Sequence, residues 1–294
     1  MRRERLETPD GDFLDLDFLD PPASKGPVPS PLVVILHGLE GSSGAPYVQR
    51  LLGRIRDRGW GAAAVNMRMC SGEPNRLKAT YHSGKTEDLD GVVRFLKKSR
   101  GSQRLYLVGF SIGGNLALKW LGERGVEASG EIERAAAVSV PYDLAKSVES
   151  MDRGFNREIY TRALLMSLKA KVFAKEKRFP QAFQLDRVKR CRTFREFDRE
   201  VTAPLNGFKD ERDYWSKSSS QNFLKSIRIP TLLVHAEDDP FFPGRHLPLN
   251  EIRNSKHLRT LVIPQGGHLG FVAGPWPWRS EYWLENTLLD FFSE

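Results

Sequence analysis

Six short apolar runs recur along the chain, and most of them end in a polar or glycine-bearing loop. They are "LVVIL" (32–36), "GAAAVNM" (61–67), "LYLVGF" (105–110), "RAAAVSVPYDL" (134–144, ending as a strand at Pro141), "PTLLVHAEDDP" (230–240) and "RTLVIPQGGH" (259–268). Rich in Val, Ile and Leu, or in small residues at 61–67 and 134–138, and without polar alternation, they have the composition of strands buried on both faces. Segments with helical spacing lie between them: Val48, Leu51, Leu52 and Ile55 fall on one face of 45–58, and a second helix is expected over about 86–99, capped by Thr86 or a neighbour. Strands separated by helices predict a mostly parallel central sheet with helices on both faces. The early "DFLDLDFLD" (12–20) alternates acidic and apolar residues and predicts a half-exposed antiparallel edge strand, and a helix over about 280–292 closes the chain. At 294 residues the expectation is a single α/β domain over 1–294.

Residues 145–225 interrupt this alternation with helical stretches such as "EIYTRALLMSLKAKVFAKEKRF", and the strand pattern resumes at 231. A helical cap inserted between two sheet strands accounts for both facts. The net charge of +8 is local: residues 151–225 carry 18 Lys+Arg against 10 Asp+Glu, and the rest of the chain balances. Such a surface suits solvent, anionic membrane headgroups or an anionic substrate. Nucleic acid is not expected, because no RNA- or DNA-binding motif accompanies the charge. No apolar run reaches the ~18 residues of a spanning helix, and the basic N-terminus lacks a signal-peptide apolar region, so a cytoplasmic location is expected. Two cysteines, Cys70 and Cys191, form neither a disulfide framework nor a metal-binding pattern.

The chemistry collects in the strand-end loops. Gly109-Phe110-Ser111-Ile112-Gly113 sits between a buried strand and a helix, the setting of a nucleophile elbow. A serine nucleophile needs a base within reach and a group that orients the base. Asp238-Asp239 follows the strand at 231 and His268 follows the strand at 259, giving the order Ser…Asp…His of the α/β-hydrolase triad. Of the two acids, Asp239 is favoured, because Pro243 stands four residues after it and the acid loop of α/β-hydrolases usually has such a proline; Asp238 is then a turn-forming acid. Two amides are expected to receive an oxyanion: the N–H of Ile112, next after the serine, and the N–H of Leu39 in the "HGLEGSS" loop. His37 is read as a prop for that loop and His235 as a core histidine. The tryptophan cluster "GPWPWRSEYW" (274–283) suits either an acyl pocket or packing of the last helix.

Together, "HGLEGSS", "CSG", "YHSGKTEDL", "GFSIGGN", "HAEDDPFFP" and "GGHLGF", in this order over about 31–280, resemble the YheT-like branch of the α/β-hydrolases, which includes the embryogenesis-associated plant proteins. The resemblance implies an α/β-hydrolase fold and hydrolysis of a small acyl or lipid ester by Ser111, Asp239 and His268 through an acyl-enzyme, with no cofactor or metal. One departure is "NMRMCSG", where Met69 stands in place of the family's usual glycine. Acyl transfer to an alcohol by the same triad is the alternative. A silent ligand-binding scaffold is a third reading, against which the intact Ser, Asp and His argue.

Overall fold

The structure, a computed structural model, describes residues 1–21, 29–101, 103–273 and 283–294. Eight strands form one sheet: β1 (Arg2–Glu7), β2 (Phe13–Leu19), β3 (Leu32–Leu36), β4 (Gly61–Asn66), β5 (Leu105–Phe110), β6 (Arg134–Val138), β7 (Thr231–Ala236) and β8 (Leu258–Ile263). Their order is β1-β2-β4-β3-β5-β6-β7-β8; the β1/β2 and β2/β4 pairs are antiparallel and the others parallel. The chain leaves β3 toward β4 on one side and leaves β5 toward β6 on the other. The crevice between β3 and β5 is therefore a topological switch point, where open α/β sheets place their ligands.

Alternate strand residues supply two cores. Val33, Ile35, Tyr106 and Val108 pack on one face against α1 (Pro46–Asp57) and the C-terminal helix. Val34, Leu36, Leu105 and Leu107 pack on the other against α2 (Thr86–Arg100) and α3 (Ile112–Arg124). The predicted helices at 45–58 and 86–99 correspond to α1 and α2, but Thr86 is the first helical residue of α2 and no side chain caps the helix. Between β6 and β7 the chain is helical: α4 (Leu144–Met151), a π-helical turn over 157–161 running into α5 (Arg162–Glu176), α6 (Leu185–Arg190) and α7 (Glu211–Ser218), with shorter turns between. This segment has its own apolar cluster, including Met151, Leu165, Val172, Phe194 and Phe197, and Phe242 of the loop after β7 joins it. The closing helix is α8 (Trp283–Ser293). Of the tryptophan-rich stretch only Trp283 falls among the described residues, stacked on Phe271 at 6.1 Å; 274–282 lie outside them.

One strand differs from expectation. β2 is an interior strand, with β1 outside it, and its acids are buried rather than exposed. Asp15 pairs with Arg5 at 2.8 Å and Asp17 with Arg3 at 2.7 Å, both arginines reaching from β1. Asp17 also accepts from Ser43 Oγ and Asn66 Nδ2. Burial of a carboxylate is tolerated when it is paired and hydrogen-bonded in this way. Alternation of acidic and apolar residues marked the two faces of the strand; the facing arginines were not visible in it.

Candidate active site

Ser111 ends β5 and precedes α3 with φ 53° and ψ −120°, a backbone conformation costly for any residue with a Cβ. Its neighbours explain the two glycines. A Cβ on Gly109 would lie 2.3 Å from the Gly113 carbonyl oxygen, and one on Gly113 would lie 2.5 Å from that of His37. Both obstacles are backbone, so the strand-to-helix turn closes only with glycine at each position. Ser111 N–H donates to Val138 O at 2.8 Å, which holds the turn to the end of β6. Its Oγ has no hydrogen-bond partner among the described residues, and Ser111 lines a cavity of about 350 Å³.

His268 lines the same cavity, and its Nδ1 lies 2.8 Å from Asp239 Oδ2. The other Asp239 oxygen accepts from the amides of Phe241 (2.8 Å) and Phe242 (3.2 Å), and the aspartate is 1% exposed. Asp238 binds farther away than the short-range turn expected of it: Oδ1 accepts from Gly266 and Gly267 N–H, each at 2.8 Å. The two neighbouring acids therefore divide the work on one loop, Asp239 holding the His268 ring and Asp238 the backbone before it. His235 supports the acid loop through Nε2–H to Phe242 O at 2.7 Å; its Nδ1 is buried without a partner among the described residues.

Leu39 and Ile112 line the cavity beside Ser111, and neither amide has an acceptor among the described residues. The Leu39 loop is a tight turn closed by Gly41 N–H to Gly38 O at 3.0 Å. His37 secures it: Nε2 accepts from Met67 N–H at 3.1 Å, which leaves Nδ1–H to donate to Gly38 O at 2.7 Å. Burial lowers the His37 pKa to about 4, so the ring is a neutral prop. Asn115, in the first turn of α3, ties the elbow to two other segments, donating to Ser83 O and Ser218 O and accepting from Ser220 N–H.

Glu40 carries a cluster that sequence reasoning missed. It follows Leu39 in the turn with φ 57°, where glycine is usual. Its N–H donates to Tyr81 Oη at 2.9 Å, and the Tyr81 hydroxyl donates back to Glu40 Oε1 at 2.7 Å. Lys171 of α5 reaches the same oxygen at 2.7 Å, while Ser167 of α5 donates to Oε2. The only sequence signal was a non-glycine residue in a glycine-rich turn. His82 also lines the cavity; burial lowers its pKa to about 3, so it stays neutral. Cys70 instead lies 3.2 Å from Lys171 Nζ, and burial raises its pKa to about 11. Met69 lines the cavity with φ 66°, a left-handed conformation that accounts for glycine in the family's pattern.

Most of the remaining wall is apolar and comes from the helices between β6 and β7, including Leu144, Val148, Leu164, Leu168, Phe194 and Trp215. Among the described residues no helix is long and apolar enough to cross a membrane, and no group of three or more His, Cys, Asp or Glu is placed to hold a metal ion.

Residues 31–275 match the family model of the alpha/beta hydrolase fold. The chain is 36% identical over 292 residues to YheT of Escherichia coli (strain K12), covering 99% of this chain and 84% of that protein. It is 30% identical over 284 residues to the phospholipase ABHD3 of Mus musculus, covering 96% of this chain and 69% of that one. Among solved structures, the esterase Pf2001 of Pyrococcus furiosus superposes with a TM-score of 0.63 at 17% identity, over 99% of this chain and 91% of that one, a likeness of fold. The elbow, the parallel sheet with its switch point and these relatives agree: the chain belongs to the α/β-hydrolase family, in its YheT-like branch.

Proposed function

We propose that this α/β-hydrolase is a serine carboxylic-ester hydrolase whose triad is Ser111, His268 and Asp239. The observation that carries the reading is that Ser111, set on its constrained turn, opens on the same cavity as His268, whose Nδ1 is 2.8 Å from the buried Asp239 carboxylate. In this mechanism His268 Nε2 takes the Ser111 proton as Oγ attacks the ester carbonyl. The negative oxygen of the tetrahedral intermediate receives the N–H groups of Leu39 and Ile112. Collapse expels the alcohol, protonated by His268, and leaves an acyl-Ser111; water, deprotonated by the same ring, then releases the acid. Asp239 keeps the Nδ1–H tautomer and stabilises the imidazolium, while Asp238 holds the loop that carries the ring.

The helices between β6 and β7 act as a cap over the site. Their apolar wall suits the acyl chain of a small or lipid ester, in keeping with a phospholipase among the relatives. The basic charge of this cap favours approach to anionic membrane surfaces. Two unpaired thiols, Cys70 and Cys191, fit a reducing compartment, the cytoplasm.

Treatment with a fluorophosphonate probe and mass spectrometry is expected to place the adduct on Ser111. Ser111→Ala is expected to lower turnover of a p-nitrophenyl ester by about 10⁴-fold or more with its Tm unchanged. Esterase activity retained in well-folded Ser111→Ala would overturn the assignment.

A further inference from the structure

α5 and the turn before it have two unlike sides. Leu164, Leu168 and Val172 face the cavity. Phe155, Ile159 and Met166 are 70%, 50% and 67% exposed, among the largest apolar side chains left in water on this chain. Their spacing of four and then seven residues places them along one stripe, with Ala163 and Ala170 exposed between and beyond them. Arginines border the stripe: Arg153, Arg157 and Arg162 are all exposed. Arg157 is met by Glu158 at 3.1 Å and Arg153 by Glu149, while Arg162 has no ion-pair partner among the described residues.

The stripe also stands close to the reacting groups. Phe155 meets the Tyr160 ring at 5.9 Å, Tyr160 meets Phe241 at 4.7 Å, and Phe241 lies on the His268 imidazole at 4.3 Å. An exposed aromatic is thus three ring contacts from the proposed general base.

We propose that this face of the cap is a membrane-docking surface: Phe155, Ile159 and Met166 enter the headgroup–acyl boundary of a bilayer, and Arg153, Arg157 and Arg162 pair with anionic headgroups. An apolar stripe edged by arginines, in a segment that carries the whole +8 of the chain, matches an interface that is apolar beneath and negative at its surface. A docked cap holds the protein, with the cavity on the inner side of α5, at the lipid surface. The inference deepens the ester-hydrolase reading and rests on it for the substrate; docking itself is measured without turnover.

The test is co-sedimentation of the full chain carrying Ser111→Ala, so that no lipid is consumed, with vesicles of phosphatidylcholine alone and of phosphatidylcholine with about 30 mol% phosphatidylserine. The phosphatidylserine vesicles are expected to bind the protein more tightly. Binding is expected to fall about tenfold or more both in Phe155→Ser/Ile159→Ser/Met166→Gln and in Arg153→Gln/Arg157→Gln/Arg162→Gln. In the wild-type background both variants are expected to keep kcat/KM for a soluble short-chain ester within about twofold, since none of the six residues touches the reacting atoms. Equal binding by the triply substituted apolar variant and its parent would overturn the proposal, as would equal binding to both kinds of vesicle. A parent that is dimeric in solution and becomes monomeric in the apolar variant, with no vesicle binding by either, would assign the face to a second copy instead. Failure of Ser111→Ala to abolish esterase activity would remove the triad reading and leave the vesicle result standing.

Discussion

The cavity has a floor and a roof built on different principles. The floor consists of loops at the carboxyl ends of β3, β5, β7 and β8, held by backbone contacts with little freedom: Gly109 against Gly113, Gly113 against His37, Asp238 on two consecutive amides. The roof is the run of helices after β6, held by side chains in an apolar cluster of its own. Backbone geometry fixes where atoms sit to a fraction of an ångström, as proton transfer requires. Side-chain packing fixes volume and shape, as selection of an acyl chain requires. The two parts should therefore fail differently when altered.

The sharpest contrast lies within the floor, between neighbouring acids. Asp239→Asn keeps the shape of the loop but replaces the carboxylate beside His268 with an amide, and is expected to lower kcat by about 10⁴-fold, through loss of the correct tautomer and of charge stabilisation. Asp238→Asn leaves Asp239 untouched and its amide oxygen still accepts from Gly266 and Gly267, so a loss of about tenfold or less is expected from a loosened loop. Steady-state kinetics on one soluble ester decide the matter. Equal losses in the two variants would mean that the floor acts through its backbone alone.

The elbow of the floor was readable in the sequence because its constraints are local; the hold of Asp238 on Gly266 and Gly267, 28 and 29 positions away, was not. Two glycines around a serine, between a β-rich run and a helix, are what a closing backbone demands, and Pro243 after Asp239 marked the acid loop. The roof was readable only as an insertion with basic charge. Its contacts with the floor join residues far apart in the chain: Lys171 meets Glu40 across 131 positions, and no local pattern encodes that pairing. Similarly, the alternation in β2 reads as a half-exposed edge because Arg5 and Arg3, which pair with Asp15 and Asp17, come from the neighbouring strand. Met69 stood out against the family pattern, but only its φ of 66° gives the reason: a glycine there would be unstrained, and the methionine accepts strain while filling part of the cavity wall.

Glu40 is where roof and floor meet, so variants there test whether the two are separable. Glu40→Gln weakens the hold of Lys171 on the turn, and Lys171→Met removes it from the other side. If Leu39 is the oxyanion donor proposed above, each is expected to lower kcat about tenfold with KM within about twofold, because displacing its amide would weaken stabilisation of the transition state more than of the bound ester. The double variant should be little worse than Lys171→Met alone, since both act on the same contact. A change in KM alone would show that the roof contributes binding only, and that the oxyanion loop stands without it.

The smallest effect on turnover should come from within the roof, at Asp198. Burial raises its pKa to about 7, although Trp215 Nε1 donates to Oδ2 at 2.8 Å; Asp152 and Glu211 push in the same direction as burial. An unfolded aspartate titrates near pH 4, so between about pH 4 and pH 7 the folded chain binds the proton that the unfolded chain has released. Stability from this group therefore falls as pH rises through that window, and the whole cost is present above it. Asp198→Asn keeps an acceptor for Trp215 and cannot ionise. It is expected to raise the Tm at pH 8, with a gain in stability on the order of a few kcal/mol at most, and to leave the Tm nearly unchanged at pH 4. Thermal melts of parent and variant across that range, with turnover of a soluble ester within about twofold, would mark the carboxyl as a cost confined to the roof. A Tm difference that does not vary with pH would mean that Asp198 is already neutral, or already charged, throughout the window, and that the roof is no more sensitive to pH than the floor beneath it.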